Sequence, residues 1–203
     1  NGSIAVIMQY DSYGRLTKIN KNNVISNVTY KDVGEFISLY PTSIGDTLYQ
    51  WEGNKLIIIT NGKEISFSYN ENGLRTCKKV KDEELTTTHE YFYDLSNRLM
   101  CEYVTSSNGD ILKLEFLYQG NDLTGFTYNG ESYYYVKDVF NTVRYIIDST
   151  GKIVVYYIYS AFGKSIDILG EMKDTIGVIN PFRYKGYYYD VETQLYWVSS
   201  RYY

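Results

Sequence analysis

The chain has 203 residues, 20 basic against 24 acidic, and a net charge of −4. That length suits one large domain or a slice of a repeat array. No basic surplus argues for a nucleic-acid partner, and no long charge block argues for a disordered tail. Twenty-five tyrosines against two prolines favour a sheet-rich structure over helices or disorder.

The apolar runs, such as Ile153 to Tyr159, are too short to span a bilayer, so no membrane span is expected. The first eight residues lack an initiator Met and a basic stretch and do not read as a signal peptide. The chain is therefore expected to be a fragment of something longer.

Self-similarity is the first signal along the chain. A unit recurs: Tyr, an acidic or polar residue, two or three more residues, a turn residue, then an aliphatic strand. Tyr10 to Leu16, with Gly14 at the turn, is the cleanest copy. Tyr30 with Gly34, Tyr49 with Gly53 and Tyr69 with Gly73 follow. Tyr93 with Asn97 carries Asn where the others carry Gly, and the Tyr118 copy is the most degenerate. The leading tyrosines are 20, 19, 20, 24 and 25 residues apart, room for two short strands and two turns. Apolar steps of three and four residues are not sustained anywhere, which argues against helices.

Gly supplies positive φ at a tight turn, and Asn97 tolerates it. A strand such as Leu56 to Thr60 comes next, then Asn61-Gly62 as a hairpin turn, then a returning strand from Glu64 to Tyr69. Ile65, Phe67 and Tyr69 should share one face of it and Glu64, Ser66 and Ser68 the other. The leading Tyr is expected to close its strand and open the next turn. One hairpin is marginal alone, so neighbours must lie side by side in a continuous sheet.

From Tyr128 the pattern tightens. Asn129-Gly130 reads as a hairpin turn, followed by Tyr133-Tyr134-Tyr135. Asn141 precedes the run from Val143 to Asp148. Ser149 to Lys152 turns the chain into Ile153 to Tyr159, and Ser160-Ala161-Phe162-Gly163-Lys164 closes that strand. Ile166 to Val178 is the least sheet-like part and is expected to be a loop or one helical turn. The end, Asn180 to Tyr203, reads as a hairpin: an Asn180-Pro181-Phe182-Arg183-Tyr184 lead-in, an aromatic strand from Gly186 to Tyr189, a polar turn from Asp190 to Thr193, and a second strand from Leu195 to Tyr203.

This last stretch resembles the core hairpin of the Rhs (rearrangement hotspot, YD-repeat) family. The matching residues are Asn180, Pro181, Phe182, Arg183, Tyr184, Gly186, Tyr187, Tyr188, Tyr189, Asp190, Glu192, Thr193, Leu195, Tyr196, Ser200, Arg201, Tyr202 and Tyr203. Gln194 stands where the family more often has Gly, and Phe140 and Asn141 stand where it has an aliphatic residue and Gly. The tyrosine-led units are similar to the family's YD repeats. The resemblance implies an all-β fold of side-by-side antiparallel hairpins in a curved sheet, a segment of an Rhs-type shell. YD-repeat hairpins would occupy residues 1–127 and the core region 128–203. It further implies a non-catalytic scaffold, secreted or at a bacterial cell surface, that encloses or presents a C-terminal toxin or effector of the same polypeptide. An immunity protein would partner that effector. The family's self-cleaving aspartates would lie beyond Tyr203, so the fragment is expected not to cleave itself.

The residues themselves offer little chemistry. His89 is the single histidine and is expected to be a polar strand residue rather than a base. Cys77 and Cys101 do not make a disulfide framework; they are expected as unpaired thiols, although similar places in neighbouring units would let them face each other on adjacent strands. One His and two Cys do not assemble a four-ligand zinc site, and no phosphate or calcium loop is present, so no cofactor is expected. Asp190 and Glu192 have the residue types of an acid–base pair but are expected as solvated turn carboxylates. Trp51, Trp197 and Tyr187 to Tyr189 have two readings. They fill cross-strand pairs and the inner face of the sheet, the plainer one, or they stack on sugar rings in a module for cell-wall or surface carbohydrate.

Overall fold

A computed structural model describes residues 6–198 and 201–203. Ser200 lies outside the described residues. The chain is nearly all β. Strands β1 (Val6–Tyr10), β2 (Leu16–Lys21), β3 (Val24–Tyr30), β4 (Pro41–Ile44), β5 (Thr47–Glu52), β6 (Lys55–Asn61), β7 (Lys63–Tyr69) and β8 (Arg75–Asp82) come first. β9 (Leu85–Tyr93), β10 (Leu99–Ser106), β11 (Ile111–Gln119), β12 (Asp122–Tyr128), β13 (Glu131–Lys137), β14 (Val143–Ile147), β15 (Ile153–Tyr159) and β16 (Ser165–Leu169) follow. These sixteen lie in chain order in one sheet. A short helix α1 (Ile176–Ile179) and a 3-10 turn (Tyr184–Gly186) lead to β17 (Tyr188–Asp190), β18 (Leu195–Val198) and β19 (Arg201–Tyr202), a separate three-stranded sheet.

The chain divides into two compact units, residues 1–68 with 78–86 and residues 69–77 with 87–203. In the first, β1 to β7 pair antiparallel in order. Its buried apolar side chains are Val28, Leu56, Ile59, Ile65, Phe67 and Val80. Ile65 and Phe67 are buried while Glu64 and Ser68 are exposed, the alternation that a half-buried strand requires. In the second unit, β9 to β16 pair antiparallel in order. One core joins Leu99, Leu114, Phe116, Phe126, Ile146, Val155 and Tyr157 of that sheet to Ile176, Tyr188 and Trp197 of the C-terminal segment.

Seven hairpin connections share one hydrogen-bond pattern. In the first, the Asp11 amide donates to the Arg15 carbonyl and the Gly14 amide to the Asp11 carbonyl. The same pair of bonds recurs in the turns opened by Asn70, Asp94, Ser106, Asp138, Asp148 and Ser160. This is a type I turn completed by a left-handed residue. Gly14 and Gly73 take that position at φ 76°, Asn97 at 62° and Asn141 at 65°. The acidic residue after the Tyr has a physical role here. Asp11 Oδ1 accepts the amides of Tyr13 and Arg15, each at 2.9 Å, and Asp94 Oδ1 accepts those of Ser96 and Arg98, each at 2.9 Å. The Arg98 amide and guanidinium hold the Asp94 carboxyl below its ordinary range.

The leading Tyr has a second role that sequence pattern does not disclose. Its hydroxyl donates to a backbone carbonyl of the unit before, two residues past the left-handed position. Tyr30 reaches Leu16 O at 3.0 Å, Tyr93 reaches Arg75 O at 2.8 Å, Tyr118 reaches Leu99 O at 3.1 Å and Tyr159 reaches Val143 O at 3.0 Å. Four units are thereby stapled to their predecessors. Burial pushes the Tyr118 hydroxyl up to about 12, so it stays a donor. Tyr118→Phe is expected to cost about 1 kcal/mol, read from the urea midpoint at unchanged slope; an unchanged midpoint would show the staple to be idle.

Several elements differ from the sequence expectation. Tyr49 sits inside β5, which runs on to Glu52 before a two-residue loop at Gly53. Tyr118 likewise lies one residue before the end of β11, and Gly120, at φ 61°, supplies its turn. After Tyr30 and Gly34 no strand begins. Val33 and Phe36 form one isolated bridge, and β4 starts only at Pro41. The intervening segment is held instead by Arg15 and Asp32. Arg15 Nη1 donates to Ser38 O at 2.9 Å, and the Ser38 amide donates to Asp32 Oδ1 at 2.8 Å. Within Ile166 to Val178, expected as loop or helical turn, residues up to Leu169 complete β16 against β15. The helical turn comes later, at Ile176–Ile179.

The last hairpin is also rearranged. The Gly186 end of the expected strand is a 3-10 turn, and β17 begins at Tyr188. Leu195 to Tyr203 is two strands rather than one, with Trp197 opposite Tyr202 and Val198 opposite Arg201. Gln194 adopts φ 58°, the conformation that Gly takes readily. Cys77 and Cys101 form no disulfide; they lie on β8 and β10, and those strands are not neighbours in the sheet order. No helix among the described residues is long and apolar enough to cross a membrane; β-strands are outside that statement.

Candidate functional site: the buried anchor of the last hairpin

Three buried charged residues of the second unit, Arg75, Glu102 and Asp190, lie where β17 and β18 meet its sheet. Arg75, at the start of β8, and Asp190, at the end of β17, are both fully buried. Arg75 Nη1 donates to Asp190 Oδ2 at 2.6 Å and Nη2 to Oδ1 at 3.1 Å. This is the two-pronged geometry that a planar guanidinium offers a carboxylate. Three rings enclose the guanidinium carbon: Trp197 at 4.6 Å, Tyr91 at 4.8 Å and Tyr188 at 4.9 Å. Desolvation works against the Arg75 charge, but Asp190 overrides it and the group stays protonated. The expectation that Asp190 is a solvated turn carboxylate is corrected: the turn begins one residue later, and Asp190 points inward to Arg75.

A second buried carboxylate stands next to the first pair. Tyr188 OH donates to Glu102 Oε1 at 2.7 Å, and His89 Nδ1 lies 2.7 Å from the same oxygen. His89 Nε2 is 3.6 Å from Glu192. Burial and then the Glu102 charge push the Tyr188 hydroxyl well above its ordinary value, which keeps it a donor. His89 thus bridges a sheet carboxylate and one in the last hairpin's turn.

The lead-in residues form a third cluster. Asn180 is fully buried. Its Oδ1 accepts Tyr135 OH at 2.7 Å, and its Nδ2 donates to Tyr157 OH at 3.1 Å and Phe182 O at 2.8 Å. Arg183 donates to the carbonyls of Gly177, Val178 and Asn180 at 3.1–3.2 Å, closing the exposed end of α1, and its guanidinium lies over Tyr189 at 4.5 Å. Phe182 packs edge-on to Phe116 at 5.0 Å and to Tyr188 at 5.7 Å. Tyr202 OH meets Tyr69 OH at 3.2 Å. Pro181 is buried, while Thr193 donates to Asp190 O at 3.4 Å. Arg201 is exposed and Tyr203 donates to Phe162 O at 3.1 Å.

The aromatic residues considered for sugar stacking are mostly used internally. Tyr188 and Trp197 are buried, and Trp51 donates to Pro41 O while packing on Tyr40 at 4.8 Å. Among the described residues no group of three or more His, Cys, Asp or Glu is placed to hold a metal ion. The anchor is chemically a lock: its acids, base and cation face one another rather than a cleft.

Sixteen strands laid side by side, four tyrosine staples between them and a clamped terminal hairpin define a repeat-built sheet protein. No family model matches the chain. It is 31% identical over 208 residues to the tRNA3(Ser)-specific nuclease WapA of Bacillus spizizenii and to the tRNA nuclease WapA of Bacillus subtilis. Each alignment takes in 99% of the chain and 8% of the relative's length. The crystal structure of TcdB2-TccC3-TEV matches 98% of the chain at TM-score 0.70 and 18% identity, covering 11% of its own length. The Photorhabdus luminescens Tc holotoxin pore matches at TM-score 0.67 and 19% identity, again over 98% of the chain and 11% of that structure. The chain is thus similar over nearly its whole length to a small part of the WapA relatives, and the solved structures share its fold.

Proposed function

We propose that the chain is a non-catalytic scaffold segment of a secreted or cell-surface bacterial Rhs-type protein, one that encloses or presents a C-terminal effector of the same polypeptide. The observation that carries this reading is the Arg75–Asp190 clamp. The charged groups that chemistry would require are spent on fixing the last hairpin to the sheet. Paired backbone along side-by-side strands gives a wall without open edges between neighbouring strands. The WapA relatives carry nuclease names and one structural relative is a holotoxin, which supports a toxin as the effector; an immunity protein would be that effector's partner. In this reading YD-repeat hairpins fill residues 1–127 and the core region 128–203.

The test is limited proteolysis of the whole parent protein. The segment following the core hairpin should resist protease in the native protein and become sensitive in Asp190→Asn. Equal sensitivity in both would remove the enclosing role. Incubation of the chain alone should give no smaller product; a discrete cleavage would remove the non-catalytic assignment.

A further inference from the structure

We propose that Asp167 is an edge guard: it keeps β16 from taking up β16 of a second copy of this chain. The inference goes beyond the scaffold role and does not depend on it. β16 ends the sheet order, and among the described residues only β15 pairs with it. An edge strand is a template for another strand, because its outward N–H and C=O groups lack partners. On β16 those groups belong to Ile168. It stands opposite Tyr157 of β15, yet its amide donates to Asp167 Oδ1 at 2.9 Å. Alternate residues of an antiparallel strand turn their backbone groups to opposite sides. An amide taken by its own neighbour's carboxylate is one turned away from β15. Asp167 thus occupies the donor that a new strand needs.

The repeats single out this residue. β16 carries an extra residue near its start, Ile166, which has no opposite number on β15. The same shift of register occurs near the start of β2, β4, β6, β10, β12 and β14. The residue after the shift is Lys18, Ser43, Ile58, Cys101, Gly125 and Tyr145 in turn, none of them acidic. Each of those strands has a partner on both sides. The next residue along faces the following strand, as Phe126 stands opposite Tyr133 and Ile146 opposite Val155. Ile168 holds that place in β16 and has no following strand to face. The carboxylate appears where the sheet stops.

A second copy is the occupant that fits the edge. With a two-fold axis beside Ile168, β16 of one copy runs antiparallel to β16 of the other. The two Ile168 residues then exchange both backbone bonds, the arrangement of a hydrogen-bonded antiparallel pair. Leu169, exposed here, is covered in that register. The same register sets Asp167 of each copy against Leu169 of the other. A carboxylate is thereby brought against an apolar side chain and loses the amide it held, which disfavours the pairing.

Sedimentation velocity of the full chain over a concentration series tests this, with hydrogen exchange at the Ile168 amide alongside. Asp167→Val removes the acceptor and leaves a β-prone residue. It should self-associate about tenfold or more tightly than the unaltered chain. Its Ile168 amide should exchange faster than in the unaltered chain when dilute and slower when concentrated. Asp167→Asn keeps an oxygen that accepts the amide and should sediment as the unaltered chain does. Asp167→Val with Ile166→Lys, which returns a charge to the same edge, should lose the association. Every variant leaves β1, the other end of the sheet order, unaltered, so association there is common to all. Asp167→Val sedimenting as the unaltered chain does would overturn the proposal. So would Asp167→Asn associating as strongly as Asp167→Val, or association of Asp167→Val without slowed exchange at Ile168.

Discussion

Asp190→Asn is expected to destabilise the second unit by about 3–5 kcal/mol, because it leaves the fully buried Arg75 guanidinium without its anion. The desolvation of Arg75 is already spent in the fold, and a neutral amide returns little of it. Three rings surround the guanidinium, so water does not reach it without opening the hairpin. Replacing both partners with apolar residues, Arg75→Met with Asp190→Leu, should cost less than Asp190→Asn alone, since no charge then remains buried. Urea unfolding followed by Trp197 fluorescence checks both. A loss under about 1 kcal/mol for Asp190→Asn would mean that the clamp is not the anchor.

Asn180→Ala is the second large effect. The side chain is fully buried and satisfies Tyr135 OH, the Phe182 amide and the Phe182 carbonyl while holding Tyr157 OH. Truncation strands the Tyr135 hydroxyl in a core that pushes it well above its ordinary value by burial. Each abandoned buried polar group costs roughly 1–3 kcal/mol, so a total of about 3 kcal/mol or more is expected. Tyr157 keeps its bond to Gly177 O at 2.8 Å, which limits the damage on that side. Asn180→Ala combined with Tyr135→Phe should recover part of the loss, because the stranded donor is then gone. No recovery in that double variant would assign the cost to packing instead.

The local parts of this fold were legible in the residues, and the long-range parts were not. Gly14, Gly73, Asn97 and Asn141 announce positive φ by type, and the alternation around Ile65 and Phe67 announces a face. Both are decided by neighbours within a few residues. Asn129-Gly130 likewise declares its turn, with φ 51° and 80°. The aspartate after Tyr was visible as a pattern, but its use as a cap on turn amides needed coordinates. The target of each tyrosine hydroxyl lies 14 to 19 residues back, set by which strands meet.

Arg75 is the informative miss. Two residues past the left-handed position, the other stapled units carry Leu16, Leu99 and Val143, so an arginine there is a charge in an apolar place. That substitution is readable from the repeats and demands a buried anion. Which anion it finds, 115 residues further on, is not readable from spacing. In sequence Asp190 reads as a turn carboxylate because its polar neighbours Glu192 and Thr193 are turn-like. The Leu195–Tyr203 run reads as one strand because it is rich in aromatics, whereas β19 pairs antiparallel with β18.

Native-state hydrogen exchange across β9 to β18 tests the central claim most directly. If the clamp joins the last hairpin to the repeat sheet, the amides of Tyr189, Gln194 and Tyr196 should open with the same free energy as those of β10 and β11. Asp190→Asn should lower the hairpin's protection well below the sheet's. Hairpin amides that already exchange through their own low-energy opening, with sheet protection indifferent to Asp190, would contradict the account.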